Sequence, residues 1–153
     1  MIGDIPSAFG AVLAKGSLTT AEFDALEKQM LDHPAALPAV PVTHSFANGQ
    51  YIREGTLPAG SLVMGHAHTA PHQFNLKTGS LTLYTPGQPP RRVTAPASFV
   101  SPPGRKLVQV HEDATIQNVH STDNWPAHRV GNVAATENHI YAPSPAWRAK
   151  NGK

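Results

Sequence analysis

The chain has 153 residues, no cysteine, 14% charged side chains and a formal charge of +2, with 12 glycines and 15 prolines. That length suits one domain whose core is large enough to fold without covalent staples. The missing cysteine excludes disulfides, thiolate metal sites and thiol catalysis, and the Gly/Pro-rich, weakly charged composition points to short strands and turns.

The start, MIGDIPSAFG, lacks a cationic segment followed by an apolar core, and no run of about 18 apolar residues exists. A soluble, cytoplasmic protein is the expectation. Arg91-Arg92 and Arg105-Lys106 are isolated basic pairs without interleaved aromatics, so nucleic-acid binding and membrane binding are not expected.

Ser7 to Lys15 reads as a short helix. Thr19 with Glu22 forms a capping box, and Phe23, Leu26 and Met30 follow at helical spacing, which predicts an amphipathic helix over 19–32. Its apolar face is expected to cover the main domain or a partner subunit. His33-Pro34 ends the helix, because proline disfavours a helical residue before it. Residues 35–41 read as an extended connector. Residues 1–40 are therefore expected to form an N-terminal helical extension, 41–121 a β-barrel, and 122–153 a C-terminal extension packing on the barrel or on a partner.

From Val42 the period changes. Short segments at 42–46, 51–57, 62–68, 73–77, 81–84, 92–94, 98–100, 106–111 and 115–120 alternate with turn signals such as Asn48-Gly49, Thr78-Gly79 and Pro102-Pro103-Gly104. This predicts a mainly β, antiparallel sandwich or barrel. Glu112-Asp113 reads as a turn between the last two strands. After His120 the pattern dissolves.

Within this region GHAHTAPHQFNLKTG, residues 65–79, packs His66, His68 and His72 into seven residues. On an extended backbone His66 and His68 share a face with Leu62 and Met64, and His72 shares one with Phe74 and Leu76. Both strands would then line one pocket, apolar at its floor and imidazole-rich at its rim. The expected metal ligands are His66, His68 and His72. An all-nitrogen donor set favours a divalent transition metal (Zn, Fe, Mn, Ni or Co) over Ca or Mg. Three protein ligands leave positions open for water or substrate.

The stretch from Gly60 to Gly79 resembles the first motif of the cupin superfamily, with Gly60, His66, His68, His72 and Gly79 in its places and His72 standing where that motif carries an acidic ligand. Pro102-Pro103-Gly104 resembles the turn opening the second cupin motif, with Leu107 where that motif carries a histidine. Residues 42–120 are also similar to small cupins often encoded by phages. The similar stretches are His44-Ser45-Phe46, Tyr51-Ile52-Arg53-Glu54, Ala95-Pro96, and Gly104-Arg105-Lys106 followed by His111-Glu112-Asp113. The resemblance implies a double-stranded β-helix, or jelly-roll barrel, and a metal habit, but no substrate.

With Leu107 at the usual fourth place, His111, His120 and His44 are the other histidines of the strand region. His111 lies roughly 13 Å along a strand from that place. His120 ends the last strand, on a course back to the same end of the barrel. Each reads as a hydrogen-bonded or surface histidine rather than a ligand. Gln73 and Gln109 are candidates to orient ligands, and Glu54 reads as solvent-facing. The leading expectation is a metal-binding protein holding a small polar molecule in the barrel mouth, with oxygenase, isomerase or lyase-type chemistry open to it. The alternative is a non-catalytic binding or structural module, and either would suit a homodimer.

Overall fold

The computed structural model describes residues 7–33, 41–142 and 144–151. The extended connector expected before Pro41 and the extreme C-terminus fall outside the described residues.

Helix α1 (Ser7–Leu13) precedes α2 (Thr20–Asp32). The capping box forms as expected: the Glu22 N–H donates to Thr19 Oγ1 at 3.1 Å, and the Thr19 N–H donates to Glu22 Oε1 at 3.1 Å. Extended backbone at His33 ends α2.

The strands are β1 (Val42–Ala47), β2 (Gln50–Leu57), β3 (Leu62–Met64), β4 (Ala67–His68), β5 (His72–Tyr84), β6 (Arg91–Thr94), β7 (Ala97–Ser101), β8 (Leu107–Ser121) and β9 (Tyr141–Ala142). All pairings are antiparallel. β5 and β8 are long and bent, and each belongs to two faces of a sandwich. In the first, β1, β2, the end of β8, the start of β5 and β7 lie side by side. In the second, β3, the start of β8, the end of β5 and β6 do so. The expected strand pairs 73–77/81–84 and 106–111/115–120 are thus two continuous strands rather than four.

The bend falls where the β5–β8 register shifts, between Leu76 and Leu81. Gly79 makes it possible. Its φ is +86°, and a Cβ there would lie 2.2 Å from the Asp113 carbonyl oxygen. Glu112 and Asp113 accordingly sit within β8 at its bulge, not in a turn between strands.

Leu57, Phe74 and Leu76 of the first sheet pack against Leu81, Leu83, Val93, Val108 and Val110 of the second to form the inter-sheet core. The outer face of the second sheet is covered by the helices: Phe9, Leu13, Leu18, Phe23, Leu26 and Met30 bury Leu62, Tyr84 and Leu107. The apolar face of α2 therefore covers its own domain.

The C-terminal region is more ordered than its sequence indicates. It holds α3 (Val133–Ile140), capped by Asn132 Oδ1 accepting from the Ala135 N–H at 3.0 Å, then β9 and α4 (Pro145–Asn151). α4 packs on α2, with Lys150 Nζ 3.3 Å from Asp32. Ser144 and Arg105 both bond the buried Glu27 of α2. This tail wraps the domain. Among the described residues no helix is long and apolar enough to cross a membrane.

Candidate metal centre

The inner face of the first sheet is graded from polar to apolar along its strands. Residues Tyr51, Arg53, Gly55 and Leu57 of β2 face it, as do His120, Asn118, Ile116 and Ala114 of β8 and His72, Phe74 and Leu76 of β5. His72 and His120 flank the Gln73–Val119 pair at the polar end. His68 reaches the same place from β4. Its backbone is fixed on one side by pairing with Tyr141 and on the other by Gly104, with N–H···O bonds of 2.8 and 2.9 Å exchanged between His68 and Gly104.

The three rings are stacked. Their centroids lie 3.8 Å apart for His68 and His72, 4.9 Å for His72 and His120, and 5.4 Å for His68 and His120. One ring nitrogen from each lies within 4.8 Å of the others. Among the described residues, His68 Nδ1, His72 Nε2 and His120 Nε2 are buried and make no hydrogen bond of good geometry, although the Asn118 side chain lies close enough to His72 to act on it. Orphaned polar atoms of this kind cost roughly 1–3 kcal/mol each. Three of them converging on one spot is the signature of a site built for something that satisfies all three. His72 Nδ1, 3.3 Å from the Ala70 carbonyl oxygen, donates to it, which leaves Nε2 with its lone pair toward the cluster.

Burial keeps all three imidazoles neutral. It lowers His68 to about 2, helped by its coupling to His72 and His120, since no two of these rings can take a proton cheaply together, and by the cations Lys106 and Arg53. It lowers His72 to about 4, with Lys106 adding to the shift. His120 is likewise lowered to about 4 by burial, then by His72, His139 and Lys106. Neutral imidazole is the form that ligates metal. Nitrogen atoms bound at about 2.0–2.1 Å to one tetrahedral ion stand roughly 3.4 Å apart. The donor set therefore fits a divalent transition ion.

Behind the cluster, Tyr51 is fully buried, stacks on His120 at 6.2 Å and exchanges a 2.7 Å hydrogen bond with His44 Nδ1. His44 thus supports the site from behind. Lys106 sends its ammonium to Ser101 Oγ, beside His72, and burial lowers it to about 8.

His66, an expected ligand, is not among the converging imidazoles. β3 ends at Met64, so Gly65 and His66 lie outside any strand and the alternation on which the expectation rested is broken. Leu62 and Met64 face the helices rather than the inter-sheet space, and the His66 ring packs 5.3 Å from Tyr141 and 5.2 Å from Trp147. Its place in the triad is taken by His120, which sequence reasoning passed over as a non-ligand. The signal for His120 was available: its parity with Ile116 and Ala114 marks it as inward-facing, and only the strand pairing shows that it meets His72. Leu107 lies under the helices. His111 faces Thr82 Oγ1 at 2.7 Å, and Gln109 accepts from Tyr84 Oη at 3.0 Å. Gln73 bonds Asn75 at the surface, and Glu54 pairs with Lys77 at 3.0 Å. None of these joins the cluster.

Beside His68 a cavity of about 340 Å³ opens between the sheets and α2. Apolar Met30, Leu57, Val63, Ile116 and Trp147 line it together with polar Arg53, Asn118, His66, His68 and Tyr141 and the buried carboxylate of Glu27. Arg53 is held 3.2 Å from Glu137 and lies 5.2 Å above the Tyr141 ring. Burial raises the Tyr141 hydroxyl to about 12, so it remains a neutral donor.

The bent β5 and β8 shared by two antiparallel sheets, with the Gly60–Gly79 motif at one end, make the strand region a jelly roll of the double-stranded β-helix type. In fold it is similar to the cupins. No family model matches the sequence, and no curated protein matches it. Solved structures similar to it include a cupin-2 domain protein from Shewanella frigidimarina NCIMB 400, at 13% identity over 52% of this chain and 79% of that one, TM-score 0.41. An RmlC-like cupin with a double-stranded β-helix fold, from Methanocaldococcus jannaschii, shares 17% identity over 54% of this chain and 82% of that one, TM-score 0.44. A double-stranded β-helix protein from Klebsiella pneumoniae matches at 13% identity over 58% and 80%, TM-score 0.47. The likeness is one of fold.

Proposed function

We propose that this protein binds a divalent transition metal through His68, His72 and His120, and holds a small molecule in the cavity beside His68. The observation that supports this most strongly is the convergence of three buried, unpartnered imidazole nitrogens, all in the neutral form that ligates metal. A metal held there supplies Lewis acidity at its open coordination positions. The residues of the chain do the rest. Tyr51, bonded to His44, packs its ring beside His120, the Ala70 carbonyl fixes the tautomer of His72, and β9 pairs with the backbone of His68. The proposed activity is binding.

Titration of untagged, chelator-treated protein with Zn²⁺ and Co²⁺ by calorimetry tests the proposal. One ion per chain is expected, with tetrahedral-type visible absorption for the cobalt form. Absence of saturable binding of either ion contradicts it.

A homodimer belongs to the same proposal but through a different surface from the one the sequence indicates. The α2 face is spent on its own domain. Support for self-association comes instead from the edge strand β7, where Val100 is 73% exposed. Light scattering of wild type and Val100→Lys checks it: loss of the dimer mass in the variant is expected, and a monomeric wild type overturns it.

A further inference from the structure

We propose that the side-chain oxygen of Asn118 is a fourth protein donor to the metal, so that the ion is held by three imidazoles and one carboxamide. The proposal rests on the metal reading above and adds to it a donor of a different chemical type.

The strand register places Asn118 at the cluster. It sits on the inner face of β8, two residues before His120, and opposite Phe74 of β5. The next inward residue of β5 is His72, so Asn118 and His72 are diagonal neighbours across the pair. Asn118 Oδ1 is buried and, among the described residues, makes no hydrogen bond of good geometry, as is true of His68 Nδ1, His72 Nε2 and His120 Nε2. Among the described residues the one other buried side-chain atom in this condition is Ser80 Oγ, which lies at the β5–β8 bulge. Four of the five orphaned atoms therefore belong to one place.

The orientation of the two side chains is decisive. His72 Nδ1 donates to the Ala70 carbonyl oxygen, 3.3 Å away, so Nε2 of the neutral ring carries a lone pair. Asn118 acts on that ring as a hydrogen-bond acceptor does, favouring its protonated form, so its oxygen is the atom turned to His72. Two acceptors then face each other with no proton between them, and neither finds another partner. A cation among the imidazoles satisfies both at once. With Asn118 the protein supplies four donors, the number a closed zinc site uses. A neutral carbonyl-type oxygen holds late first-row ions less firmly than imidazole does. Its position is therefore the one that stays open to exchange, and Asn118 also lines the cavity beside His68.

Zinc and cobalt affinities and cobalt visible spectra of the untagged full chain and its variants test the assignment. Asn118→Ala is expected to weaken binding of both ions about ten-fold. Water takes the vacated place, so the cobalt bands of this variant should change between about pH 6 and 9 as that water ionises, whereas the wild-type bands should not. Asn118→Asp keeps an oxygen at the same point of the side chain. It should bind at least as tightly as wild type, with bands that do not respond to pH. Thermal melts of the metal-free proteins identify any variant that fails to fold. Asn118→Val, a good strand former, then replaces Asn118→Ala with the same two expectations. The rival arrangement turns the amide over, so that Asn118 Nδ2 donates to His72 Nε2. It predicts that Asn118→Ala frees His72 and binds metal as tightly as wild type or more so, with unchanged bands. That result overturns the proposal and leaves the three-histidine site standing. Weaker binding with cobalt bands that respond to pH as those of wild type do makes Asn118 a support rather than a donor, and also overturns it. Wild type that takes up no metal overturns both readings.

Discussion

The two sides of the second sheet and its neighbours have opposite characters. On the helix side, Phe23, Leu26, Leu62 and Leu107 are fully or almost fully buried in an all-apolar cluster. At the polar end of the inter-sheet space, His72 and His120 are buried and His68 is half-buried, and among the described residues each leaves one enclosed nitrogen without a partner. The first arrangement gains stability from burial. The second leaves polar atoms unpaired at a cost in stability, which the proposed metal would offset. The difference assigns separate roles to the two regions, and it can be broken at either one.

The largest effect is expected on the helix side. Phe23→Ala removes a ring that is 0% exposed, and should cost about 3–5 kcal/mol in urea unfolding. Metal affinity of the folded fraction should not move. A parallel loss of metal binding in the native state would show that the two regions are not separate.

At the cluster the balance should reverse. His72→Ala or His120→Ala is expected to weaken metal binding by at least about 100-fold, since loss of even a supporting partner costs 10–100-fold. Stability of the metal-free protein should change little, because an orphaned polar group leaves along with the ring.

Acid sharpens the contrast. His72 and His120 are lowered to about 4, well below the usual value near 6.5. The unfolded chain therefore binds more protons than the folded one between these values, and stability rises with pH across that window. Metal-free protein should lose stability progressively as pH falls from about 6.5 to 4, with full stability retained above 6.5. Denaturant midpoints taken at half-unit steps follow this directly, and His120→Ala should flatten the slope. A wild-type midpoint that stays level through that range would mean the rings are not buried as neutral groups.

A smaller effect belongs to the cap of α2. Thr19→Ala removes the acceptor for the Glu22 N–H and should cost about 1 kcal/mol, read as a lower melting temperature with the metal site unaffected.

Much of this organisation can be read in the sequence. The capping box, the α2 stripe and the period-two face of His72, Phe74 and Leu76 are local signals, and each appears where its spacing puts it. What local spacing does not carry is pairing. Strand alternation from Leu62 to His68 groups His66 with His68, but β3 stops at Met64 and its even side chains turn to the helices. His120 stands 48 positions after His72 in the sequence and meets it only because bent β5 and β8 run side by side. Lys106 and Arg53 look like ordinary surface cations in the sequence, and tertiary contacts alone turn them toward the cavity and the cluster. The bend itself depends on Gly79, which reads as a turn glycine but serves as a bulge within one continuous strand.

The central claim is that His68, His72 and His120 form the metal centre, with His66 outside it. Elemental analysis of untagged wild type, His120→Ala and His66→Ala after identical metal loading and desalting tests it most directly. Wild type and His66→Ala are predicted to retain one transition-metal ion per chain and His120→Ala to retain none. Retention by His120→Ala with loss in His66→Ala would contradict the account.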